Sequence, residues 1–225
     1  MKGRILPLIT LLAGVATLVV FVMLGRQPDV AALYQANEVS GVVSDFQRAA
    51  TMDDLVGVFG DPPNPAAIAA MDALNTLDLQ AFIAAYVIFL CAAAVMLGGL
   101  RSPFVWAAIA FAMAGGVFDA IETWNQLQIT ADYANAETYL PIATWHWLKY
   151  AALAGNGLAV AALLVLGERK NVILAAIALA PLPLVALAYA DVVSTRFFAG
   201  AFGLYWIALL IAAAIAMVRG RGAPA

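Results

Sequence analysis

Residues 79–100 read LQAFIAAYVIFLCAAAVMLGGL, and after Arg101-Ser102-Pro103 residues 104–124 read FVWAAIAFAMAGGVFDAIETW. Each run is about 20 residues long and nearly free of charge, the length that crosses roughly 30 Å of hydrocarbon at about 1.5 Å per helical residue. The three residues between them leave room only for a tight turn, so the two runs form a hairpin of membrane helices. Four blocks of the same kind surround the hairpin, at residues 5–24, 141–166, 172–190 and 197–218. The fold class that follows is all-α: a polytopic membrane helix bundle with six transmembrane helices, which is the arrangement that satisfies backbone hydrogen bonds inside lipid.

The composition agrees with lipid as the solvent. Of 225 residues, 65% are hydrophobic and 11% charged, outside the range of soluble domains. A chain of this length accommodates one membrane domain, 1–225, with short connections. The single cysteine, Cys91, and the single histidine, His146, exclude a disulfide framework and any site built from several thiolates or imidazoles. No cofactor and no metal is expected. The few basic residues are spread among short ends, which excludes nucleic acid as a partner. The partners expected are membrane lipids, with other membrane proteins or a second copy of the chain as further contacts.

Flanking charge sets the expected orientation, because Lys and Arg near helix ends stay on the cytoplasmic side. With the N-terminus inside, Lys2, Arg4, Arg101, Arg169, Lys170, Arg219 and Arg221 are cytoplasmic, and Arg26, Arg48 and Arg196 lie outside. The acids distribute the other way, with Asp29, Glu38, Asp45, Asp53, Asp54, Asp61, Asp72, Asp78, Asp132, Glu137 and Asp191 all outside. Both termini are then cytoplasmic in a bacterial inner membrane. The first block follows Lys2 and Arg4, exceeds the length of a signal-peptide core and ends in Met23-Leu24-Gly25-Arg26, which is not a small-x-small cleavage site, so it is expected to remain as an anchor.

Residues 26–78 are expected to form a small helical periplasmic segment. Val30, Leu33, Tyr34, Val42 and Phe46 recur at roughly helical spacing as an apolar stripe. Thr51 with Asp53 and Asp54 in the next turn is an N-terminal cap, Gly60 a stop, and Asn64-Pro65 the start of a third helix. The segment holds too little apolar mass for a core of its own and should lie against the membrane helices.

Ionisable residues inside spans cost energy and draw attention by their presence. Asp119 and Glu122 are three apart, as are His146 and Lys149, so each pair shares a helix face. Asp119 lies roughly 23 Å from the start of the third block, about 7 Å below its outer end, and His146 and Lys149 lie roughly 7 to 12 Å below the outer start of the fourth. Lys149 is therefore expected to pair with Asp119 or Glu122, with Asp78, Gln80 and Tyr86 of the second block as neighbours. Trp145 and Trp147 fit an interfacial belt, Pro181 and Pro183 predict a break in the fifth span, and Gly115, Gly116, Gly155, Asn156 and Gly157 are surfaces for close helix contact.

Asp45-Phe46-Gln47-Arg48-Ala49 with Thr51 and Asp53, Phe82-Ile83-Ala84-Ala85-Tyr86, and Asp119-Ala120-Ile121-Glu122 together resemble the motifs F-E-x-A-x-T-x-E, F-x-x-x-Y and D-x-x-E-N of a group of uncharacterised bacterial multi-pass membrane proteins. The likeness covers roughly the first 165 residues. Gln47 and Thr123 stand where the group has Glu and Asn, and the last two blocks extend beyond its four-span core. The resemblance implies a multi-pass topology and points to Phe46, Thr51, Tyr86, Asp119 and Glu122, and it implies no activity. Three functional classes follow from the residues. They are a non-enzymatic accessory or structural membrane component, a protein that binds or transports a small amphiphile such as a lipid or quinone in an outward polar pocket, and a membrane-embedded enzyme using His146 and Glu122.

Overall fold

The structure, a computed structural model, describes residues 2–28, 30, 39–168 and 170–219. Asp29, Leu33, Tyr34, Glu38, Arg169 and Arg221 of the sequence expectations lie outside the described residues. The helices in chain order are α1 (Lys2–Leu24), α2 (Val39–Gln47), α3 (Met52–Phe59), α4 (Pro65–Leu77), α5 (Ile83–Gly98), α6 (Pro103–Ala131), α7 (Ile142–Leu166), α8 (Val172–Leu179), α9 (Pro181–Tyr189) and α10 (Thr195–Arg219). A π turn, Asp78–Phe82, joins α4 to α5, and a 3-10 segment, Tyr133–Tyr139, follows α6. No strand occurs among the described residues.

Among the described residues six stretches are long and apolar enough to cross a membrane: Arg4–Leu24, Pro65–Gly98, Pro103–Ala131, Ile142–Leu166, Val172–Tyr189 and Thr195–Arg219. The chain is an all-α, multi-pass membrane protein. Two boundaries differ from those that hydrophobicity alone marks. The second helix starts at Pro65, where the Asn64 side chain accepts from the Ala66 N–H, and no breaker separates it from the apolar run at residue 79. The third continues through the mixed polar and apolar residues 125–131, because a helix propagates past the end of its apolar block when its side chains find partners. At the paired prolines the hydrogen-bonded ladder divides after Leu179, yet Ala180 keeps helical angles (φ −56°, ψ −36°), so α8 and α9 make one span.

The chain separates into two compact units. The first comprises Met1–Thr17, Ala85–Gly115 and Tyr150–Ala225. Within it, Asn156 of α7 donates to the Ala108 carbonyl of α6 (2.8 Å), and the Tyr205 hydroxyl of α10 donates to the Asn156 side-chain oxygen (2.9 Å). One buried amide thus joins three helices, as a polar group removed from water requires. Beside it, Gly157 admits the backbone of α8 so closely that any Cβ would collide with the Ala178 carbonyl oxygen. Tyr86 of α5 stacks on Trp206 of α10, with ring centroids 5.4 Å apart.

The second unit comprises Leu18–Ala84 and Gly116–Lys149. Its apolar core gathers Val30, Phe46, Leu55, Phe59 and Met71 around Ile129 and Ile142, with Tyr133 and Leu140 against it. The short helices therefore complete their core on the ends of α6 and α7. Phe46 meets Phe59 edge-on at 4.9 Å, and Phe59 meets Tyr133 at 5.8 Å. The Ala49 carbonyl accepts from the N–H groups of Ile142 (2.9 Å) and Ala143 (3.2 Å), satisfying two donors at the start of α7.

The turn into α3 is held by reciprocal bonds. Thr51 Oγ1 accepts from the Asp54 N–H (3.2 Å), and Asp54 Oδ2 accepts from the Ala50 N–H, the Thr51 N–H and the Thr51 hydroxyl, each at 2.9 Å. Gly60, at φ 84°, ends the helix in a conformation open to glycine. The donors around Asp54, the Ala50 N–H foremost, hold its carboxyl below the ordinary carboxylate range. A depressed folded value stabilises the turn fully above the unfolded pKa of about 3.9, and the contribution disappears as pH falls through the folded value. Amide hydrogen exchange at Ala50, Thr51 and Leu55 should therefore quicken on acidification below about pH 4. In Asp54→Asn the same amides should exchange fast at neutral pH and lose their acid dependence, and unchanged protection in that variant would count against the cap.

Candidate functional site

The polar centre of the second unit is built from two helix faces. Asp119 and Glu122 project from α6, and His146 and Lys149 from α7, each pair one helical turn apart. The ammonium of Lys149 lies 2.9 Å from Asp119 Oδ1 and 2.7 Å from Glu122 Oε2. Glu122 Oε1 lies 3.2 Å from His146 Nδ1. With Glu122 ionised, that bond places a hydrogen on Nδ1, which donates to the carboxylate. The four side chains are between 1% and 6% exposed, so water contributes almost nothing to their solvation. Ring packing closes the surroundings, with Trp147 edge-on to His146 at 5.1 Å and Phe118 tilted against Trp145 at 6.2 Å.

Asp78 reaches the same face of α6 by another route. Its Oδ2 accepts from the Thr123 hydroxyl at 2.9 Å. Gln80 is exposed, and the Tyr86 ring stacks on Trp206. The structure thus brings together Asp119, Glu122, His146 and Lys149, and adds Asp78 through Thr123. Sequence reasoning missed Thr123 and, farther along, Asp72 and Thr130, which bond at 3.1 Å. A signal for them exists: residues 119, 122, 123, 126 and 130 of α6 are all polar and recur at three- and four-residue intervals, a polar stripe within an apolar helix.

Chemically the cluster is an ion-pair network. Two carboxylates compensate one ammonium, and the imidazole uses the remaining side of Glu122. His146 and Glu122 have the spacing of a base and its orienting acid, and the adjoining Thr123 hydroxyl is engaged by Asp78. Among the described residues no group of three or more His, Cys, Asp or Glu side chains is placed to hold a metal ion.

Removing one partner of a buried pair leaves the other charged and unsolvated, at a cost of about 3–5 kcal/mol. Lys149→Met, which strands two carboxylates, should destabilise the protein more than Asp119→Asn, which leaves Lys149 with Glu122. The double variant should recover part of the loss, as thermal unfolding in detergent would show through a non-additive cycle. Additive effects, or a Lys149→Met protein as stable as the parent, would contradict the network. Comparison with protein-family models, with curated proteins and with solved structures finds no match to this chain, so the reading of the site rests on its own residues.

Proposed function

We propose that the chain is a non-enzymatic accessory or structural component of a bacterial inner membrane, with both termini cytoplasmic and the α2–α4 helices on the periplasmic side. One observation carries this reading. The charges of the cluster are turned on one another, Lys149 enclosed by Asp119 and Glu122 and Glu122 by His146, which is how ions are arranged when they fix the register of two helices. Outside the cluster the helices present apolar surface. On α1 alone Ile5, Leu8, Leu12, Val15, Leu18, Val19 and Phe21 are exposed, a face suited to lipid tails and to helices of a second membrane protein or a second copy. The likeness of the Asp45–Asp53, Phe82–Tyr86 and Asp119–Glu122 stretches to bacterial multi-pass proteins supports the bacterial setting.

Crosslinking in native membranes followed by purification in mild detergent should yield a species heavier than the single chain. Recovery of monomer alone, with no crosslinked partner, would remove the support for an accessory role. The orientation has its own test. Reporter fusions after Gly60 and after Lys170 should register in opposite compartments, the first outside and the second inside, and fusions in one compartment would overturn the topology.

A further inference from the structure

Beyond the ion-pair network, α4 and α6 meet through a second set of polar side chains. Asp72 accepts from Thr130 at 3.1 Å, and Asp78 accepts from Thr123 at 2.9 Å. The bonds run in opposite chain order, so the two stretches are antiparallel here, and whatever lies between the bonds is bracketed by them. On α4 that is Asn75, three residues from each acid. On α6 it is Gln126, three residues beyond Thr123 and four before Thr130. These spacings put both amides on the facing sides. Asn75 is 3% exposed and Gln126 2%, yet neither side-chain nitrogen, Asn75 Nδ2 or Gln126 Nε2, has a hydrogen-bond partner among the described residues. Buried amide donors are seldom left so, and two at one level of one seam point to a ligand.

We propose that Asn75 and Gln126 form a binding site for a neutral hydroxyl group, a role separate from the register-fixing function of the charged cluster. The donors and acceptors select this class. Two amide N–H groups ask for an acceptor. The Asp72 carboxylate on one side, with Glu122 one turn from Gln126, repels a carboxylate or phosphate and asks for a donor. A ketone or ester carbonyl accepts and does not donate, and an ammonium donates and does not accept. A hydroxyl oxygen does both, taking the amide hydrogens on its lone pairs and giving its own to a flanking carboxyl oxygen. Thr123 engages Oδ2 of Asp78 and leaves its other oxygen for that bond. Asp72 is exposed and Asp78 half-buried, so the site lies between a solvent-facing end and a deeper one.

Two sources carry this chemistry, water and the hydroxyl head group of an uncharged amphiphile, and one experiment separates them. The full chain, purified in an amine-oxide detergent that has no hydroxyl, is studied with a monoacylglycerol and with the methyl ester of the same fatty acid. Its structure is determined at a resolution that shows water, and its thermal unfolding is followed in parallel. Density between the two amides, within hydrogen-bond distance of both nitrogens, is the expected result. If the hydroxyl belongs to the amphiphile, the density is elongated, the monoacylglycerol raises the unfolding temperature by several degrees where the methyl ester does not, and Gln126→Leu abolishes the difference. If it belongs to water, the density is an isolated sphere and the two additives act alike, and the site stands. A structure in which the amides bond each other or a neighbouring carbonyl, with nothing between them, overturns the proposal whatever the thermal shifts. Because the density is read on the unmodified chain, a Gln126→Leu protein that fails to fold leaves the test intact.

Discussion

An ammonium group placed in hydrocarbon must be met by opposite charge at contact distance, and Lys149 is met twice. The desolvation penalty for each buried ion is several kcal/mol, and only short contacts with further hydrogen bonding offset it. Asp119 at 2.9 Å and Glu122 at 2.7 Å supply the contacts, and His146 on Glu122 supplies the further bond. Because Asp119 and Glu122 are one turn apart, Lys149 can meet both only at one axial offset of α7 against α6. Sliding either helix by a turn, about 5.4 Å, would separate every charge in the set. The apolar contacts around them are non-directional and would tolerate such a slip far better.

That offset has consequences along both helices. It brings the start of α7 to the level at which the Ala49 carbonyl receives its first N–H groups, so that Ile142 is buried beside Ile129 in the core of the short helices. It also fixes which side of α6 faces inward, and the inward side is the polar stripe from Asp119 to Thr130. The partners of that stripe come from two directions. His146 and Lys149 satisfy the part nearest the membrane interior, while Asp78 and Asp72 satisfy Thr123 and Thr130. A helix whose inward face is polar over so many residues keeps its place by hydrogen bonds and ion pairs, leaving its apolar faces for lipid, as the exposure of Trp106, Met113, Val117 and Trp124 illustrates.

Much of this was legible in the residues. The six apolar blocks declare themselves by length, and the pairing of Lys149 follows from two same-face spacings and a depth estimate, since rise per residue converts sequence position into level. Asn156 was identifiable as an interhelical donor because a buried amide must bond something, although its partners Ala108 and Tyr205 were not. Less was visible where hydrophobicity marks the wrong boundary. Asp72 and Asn75 precede the apolar block on the helix expected from Asn64-Pro65, and what hydrophobicity does not mark is that this helix runs on into the second span. The tight approach at Gly157 was visible only as a small residue, because its cause, the Ala178 carbonyl, belongs to a distant part of the chain.

The π turn at Asp78–Phe82 changes which residues share a face along the second span. In an unbroken α-helix, Asp78, Phe82 and Tyr86 would follow one another at four-residue steps along a single face. Here the Ile83 N–H bonds to the Asp78 carbonyl, five residues back, which adds one residue to the turn. One extra residue rotates everything downstream by about 100° relative to what precedes it. Asp72 and Asp78 bond to Thr130 and Thr123 of α6, and Tyr86 beyond the turn stacks on Trp206. A single inserted residue therefore lets one long helix serve a polar seam at one end and an aromatic contact at the other. No hydropathy profile can register it, because the insertion changes direction without changing composition.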